Sequence, residues 1–108
     1  MKTTPRTVRE LLSKPTSWTQ DAYARDQHGN PVRPDDPSAT SWCLEGAISR
    51  VYGKDFTARK YASENVILYY AETETWNPWV KADVIATWND SPKRSYKDIV
   101  ELLKNTGI

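Results

Sequence analysis

Across 108 residues there is one cysteine, one histidine, one phenylalanine and one methionine. A single cysteine cannot close an internal disulfide, and with a single histidine it cannot build a structural zinc site. A reducing cytoplasm is therefore the expected setting. No run of about 18 apolar residues exists to span a bilayer, and the opening Met1-Lys2-Thr3-Thr4-Pro5-Arg6 has charge but no apolar stretch after it, so neither a membrane anchor nor an export signal is expected. Excess charge of one sign is also missing: fifteen basic residues face fourteen acidic ones, for a net charge of +1. That balance argues against general affinity for nucleic acid. The sequence carries no complete catalytic, metal or nucleotide signature, so no cofactor is expected.

What the chain does have is tryptophan and tyrosine, five and six of them. Large rings fill the core of a small domain with few residues, and they also concentrate at contact surfaces. The length fits one globular domain over residues 1–108. Thr4-Pro5 and the capping-box pattern Thr7-Val8-Arg9-Glu10 each predict a helix start, with Val8, Leu11 and Leu12 facing the core and Pro15 ending it. The alternation from Trp18 to Arg25, followed by Gly29-Asn30 and Val32, predicts a β-hairpin near residues 18–33.

From Ser38 to Tyr52 the spacing of Leu44, Ala47, Ile48, Val51 and Tyr52 predicts a helix. A further helix is expected from Thr57 to about Tyr70, with Ala58, Tyr61, Ala62, Val66 and Tyr69 on one face. Residues 73–82 read as an aromatic loop or short helix around Trp76 and Trp79, and Val84–Trp88 as a short apolar run closed by Asn89-Asp90-Ser91-Pro92. Ser95 with Asp98 caps a last helix whose stripe is Ile99, Val100, Leu102 and Leu103, ended by Gly107. The expected fold is α+β, mainly helical, with about four helices and one β-hairpin. Its core is expected to hold Trp42, Leu44, Ala47, Ile48, Val51, Trp88, Ile99, Leu102 and Leu103.

Two tryptophan segments, Trp42-Cys43-Leu44-Glu45-Gly46 and Trp88-Asn89-Asp90, set a ring beside a residue able to do chemistry. Cys43, placed in the first turns of the expected helix, would have its thiol pKa lowered by free N–H groups, and His28 as base, oriented by Asp90 or Asp26, would complete a cysteine hydrolase or transferase. Against this, His28 precedes the cysteine and sits in a turn, and buried cysteines are common. Arg25 and Asp26 can hold a ligand or fix the hairpin as an ion pair. Asn89 and Asp90 can bind a ligand or build a corner before the last helix. Lys93 and Arg94, with Lys97 and Lys81 and the rings of Trp76, Trp79 and Tyr96, could stack single-stranded bases.

Ala24-Arg25-Asp26 with Gly29, then Pro37-Ser38-Ala39, Trp42-Cys43-Leu44-Glu45-Gly46-Ala47-Ile48, and Trp88-Asn89-Asp90 ahead of Arg94-Ser95 occur in an order that resembles a family of small uncharacterised bacterial and bacteriophage proteins, over roughly residues 5–105. The resemblance implies a bacterial or phage cytoplasm and an accessory protein of the host-takeover or anti-defence kind, which binds and disables a host protein. It carries over no catalytic residue. The expectation is thus a binding protein acting on a host protein. A small-molecule or nucleotide sequestering protein and a Cys43 enzyme are the alternatives.

Overall fold

The computed structural model describes residues 6–73 and 84–108. Helix α1 (Val8–Leu11) starts at Thr7, whose hydroxyl accepts a hydrogen bond from the Glu10 amide at 3.1 Å, while the Glu10 carboxylate accepts one from the Arg6 amide at 2.8 Å. This is the expected cap displaced by one residue at its carboxylate arm. A 3-10 turn at Pro15–Ser17 follows.

Three strands form an antiparallel sheet: β1 (Ala24–Asp26) in the centre, β2 (Pro31–Val32) on one edge and β3 (Ala39–Trp42) on the other. The hairpin lies where it was expected but is shorter. Asp26 accepts from the His28 and Asn30 amides, and Gly29 at φ +82° makes the reversal that side chains disfavour. Residues 18–23 are not a strand. Trp18 makes one isolated bridge to Trp42, and Asp21 turns the backbone away at φ +64°.

The helix predicted from Ser38 begins instead at Leu44, because Ala39–Trp42 is β3. Local periodicity yields here to pairing partners. Asp26, Arg25 and Ala24 pair with Ala39, Ser41 and Trp42, and Tyr23 O accepts the Cys43 amide at 3.2 Å. The Leu44 amide, which a longer helix would bond to Thr40, goes to the Asn89 side chain at 2.9 Å. Helix α2 (Leu44–Tyr52) buries Leu44, Ala47 and Ile48 completely, each large side chain contributing about 1.5–3 kcal/mol. Val51, expected in the core, is half-buried at its margin.

Helix α3 (Phe56–Thr73) is capped by Asp55, whose carboxylate accepts from the Ala58 amide, and it packs Ala62 and Val66 inward. Tyr69 sets its edge on the Trp88 ring at 6.5 Å between centroids. Tyr61 was expected on this inner face and lies outside it, 66 % exposed, since the small Ala62 takes the place nearest the core. The run Val84–Trp88 opens a short helix, α4 (Val84–Asp90), which sends Ile85, Trp88 and Asn89 inward at i, i+3 and i+4. Helix α5 (Tyr96–Thr106) carries the expected capping box, Asp98 accepting from the Ser95 amide at 2.9 Å, and buries Ile99, Leu102 and Leu103.

Among the described residues there are thus five helices, α1 being a single turn, and three strands around one apolar core, an α+β fold. The third strand was not foreseen. The aromatic segment 73–82, with Trp76 and Trp79, lies almost wholly outside the described residues. No described helix is long and apolar enough to cross a membrane.

Candidate functional site

The two tryptophan segments meet through Asn89. Its side chain is fully buried, a costly place for an amide unless every polar atom is matched. Here they are matched: Oδ1 accepts from the Trp18 indole at 2.7 Å and from the Leu44 amide at 2.9 Å, while Nδ2 donates to Thr19 O at 3.0 Å and to Asp90 Oδ1 at 2.9 Å. Its backbone carbonyl accepts from the Gln20 carboxamide, which also reaches Ser91 O. Loop 18–20, the start of α2 and the end of α4 are joined at this one side chain.

Beside the joint lies an open cleft of about 260 Å³ lined by Asp21, Ala22, Tyr23, Cys43, Ala86 and Asp90. Asp90 Oδ1 accepts from the Asp21 amide at 2.9 Å, which holds Asp21 in its left-handed conformation. No donor among the described residues reaches Asp90 Oδ2 or the Asp21 carboxylate. The cleft therefore presents two carboxylates next to the half-exposed Tyr23 ring.

Cys43 forms the floor at 2 % exposure. It is the residue preceding α2 rather than part of its first turn, and its Sγ accepts from the Gly46 amide at 3.3 Å. The expected lowering of its pKa is reversed. Burial pushes the thiol up to about 11, with the Asp90 and Glu45 charges adding to it, more than the Gly46 and Glu45 amides pull it down. His28 does not join Cys43 and Asp90: it stands exposed in the β1–β2 turn beside Gln27.

The remaining candidates are dispersed. Arg25 is a strut, its guanidinium donating to Thr19 Oγ1, Gln20 O and Gly29 O. Asp26 closes the hairpin turn, and the Asn30 and His28 amides hold its carboxyl below the usual value. Arg94 lies 3.8 Å over the Trp88 ring and donates to Trp88 O, a packed cation rather than a patch. Lys93 is exposed in the turn before α5. Asp21 was missed in the sequence because nothing in an alternating run marks one position for a positive φ.

Fold and site together define a small single-core α+β domain with an acidic cleft at the junction of its two tryptophan motifs. The chain belongs to the family of unknown function DUF6197, which matches residues 2–107. No curated protein and no solved structure matches it.

Proposed function

We propose that this is a small binding protein that acts without turnover, docking on a protein partner that inserts a basic side chain into the Asp21–Asp90 cleft. The observation that supports this reading is the pair of carboxylates with unengaged oxygens beside the Tyr23 ring, a setting that suits an ammonium or guanidinium group. The resemblance to bacterial and phage accessory proteins supplies the finer version: a host protein as the partner, its inhibition as the outcome, and the bacterial cytoplasm as the place. A second reading, capture of a free small cation, rests on the same cleft. Phosphate-bearing nucleotides suit it poorly, since both carboxylates would repel them. Against a Cys43 hydrolase stand the protonated thiol and the separate position of His28.

Capture from a bacterial lysate with the immobilised protein, compared with Asp21→Lys, tests the reading. The Asp21 side chain makes no hydrogen bond that folding needs, so the variant is expected to keep its helical circular dichroism. Loss of a captured protein in the variant supports docking. Tryptophan-fluorescence titration with agmatine that saturates on wild type and not on Asp21→Lys, with no captured protein, moves the function to the second reading. Capture unaffected by Asp21→Lys refutes use of the cleft, and loss of activity in Cys43→Ala alone would return the enzyme.

A further inference from the structure

Between α1 and α5 a second cleft of about 210 Å³ opens, with Arg9, Leu12 and Ser13 on one bank and Tyr96, Val100 and Leu103 on the other. Leu12 and Leu103 are buried and form its floor. Val100 is different. The sequence pattern places it in the buried stripe of α5, yet it stands at 46 % exposure, an apolar side chain that the core does not use. The volume bears on what would cover it. Small-molecule pockets run from roughly 300 Å³ upward, so this cleft suits one apolar side chain of a partner better than a whole cofactor.

Charge narrows the partner further. Arg9 lines the cleft itself, and Lys97 and Lys104, three before and four after Val100, lie within about 60° of it around α5. All three are exposed, and none takes part in an ion pair or side-chain hydrogen bond among the described residues. Among those residues no acid lines the cleft. Glu10 faces the end of α2, where its charge acts on the Tyr52 phenol, and Asp98 is held in the cap of α5. Glu101 lies about 100° around the helix from Val100 and is within ion-pair distance of neither lysine. An apolar lip set between cations is complementary to an apolar residue set between acids.

We propose that the α1–α5 cleft docks an acidic amphipathic helix of another protein, one apolar side chain of which enters between Leu12, Val100 and Leu103 while its carboxylates meet Arg9 and the two lysines. Lys97 and Lys104 are seven residues, about 10 Å, apart along α5, so a helix laid alongside meets both with carboxylates two turns apart. The site shares no residue with the Asp21–Asp90 cleft, takes the opposite charge, and does not rest on the reading of that cleft.

Fluorescence anisotropy with a labelled synthetic peptide of about three helical turns, leucine at every third or fourth position and glutamate elsewhere, tests it. Saturable binding is expected, weakened about tenfold in Val100→Asp and severalfold in Arg9→Glu and in Lys97→Glu. Circular dichroism should be unchanged, because all three side chains are exposed. The same peptide with glutamine in place of glutamate should bind more weakly, and added salt should narrow the difference. A glutamate peptide that fails to bind the wild type overturns the proposal, as does binding that the three variants leave unchanged. Equal binding of the glutamine peptide overturns it too, by removing charge as the basis of recognition. Affinity for phosphatidylglycerol vesicles, lost in the same variants and with none for the peptide, overturns it in favour of an anionic membrane surface.

Discussion

Asn89 makes four side-chain hydrogen bonds at complete burial, so its truncation strands partners rather than merely losing contacts. Asn89→Ala leaves the Trp18 indole, the Leu44 amide and Thr19 O without their partner. The expected loss is roughly 3 kcal/mol or more, readable as a lowered urea midpoint. Asn89→Asp keeps the acceptor but loses the donor and places a second carboxylate against Asp90, so it should also destabilise. The Cys43 thiol gives a pH signature. Its folded pKa of about 11 lies above the reference value of 9.0, so its contribution is full below pH 9 and is lost as pH rises toward 11. Cys43→Ala should flatten the alkaline fall of stability in that window, by on the order of 2 kcal/mol, measured by denaturant titration at stepped pH. Of these two residues the sequence singled out both, and it named the corner-building role of Asn89 as one of two readings. The sign of the thiol shift was not legible, because it depends on burial beneath loop 21–23 and on an aspartate 47 positions away in the chain, which no local pattern encodes.

Among the elements, α2 and β1 are coupled by a close approach. A side-chain carbon at Gly46 would lie 1.9 Å from Tyr23 O, far inside contact distance, and the obstacle is backbone. Gly46→Ala should therefore push α2 off the loop before β1 and strain the Cys43 amide bond to the same carbonyl, costing roughly 2 kcal/mol despite alanine's better helix propensity. A thermal melt of the variant checks it. Four helices could be read from the sequence: α1 and α5 from their caps, and α2 from Leu44 onward and α3 from their apolar spacing. The strand β3 was hidden because Ala39–Trp42 directly precedes a strong helical stripe, and only its non-local partners in β1 fix it as extended. The inner face of α3 was partly misread for a related cause: with apolar residues on two sides, periodicity alone does not say which side is inward.

At the scale of the molecule, two tyrosines tie distant parts together through short bonds at the core margin. Tyr52 OH donates to Ile108 O at 2.6 Å, where the Val8 amide also arrives, and Tyr96 OH donates to Leu12 O at 2.6 Å. Burial raises the pKa of both phenols, so these bonds hold below pH 10 and weaken as pH climbs beyond it. Tyr52→Phe and Tyr96→Phe should each cost about 1 kcal/mol, and because the pairs share no partner the double variant should be close to additive in a urea titration. The single apolar core that unites all five described helices was foreseeable in its members but not in its closure. The joint at Asn89 bears on time as well as on stability. Its partners other than Asp90 lie 45 to 71 residues away in the chain, so it closes only once loop 18–20, α2 and α4 have found one another. Breaking it should hasten unfolding far more than it slows folding, leaving the folding arm of the chevron almost unmoved.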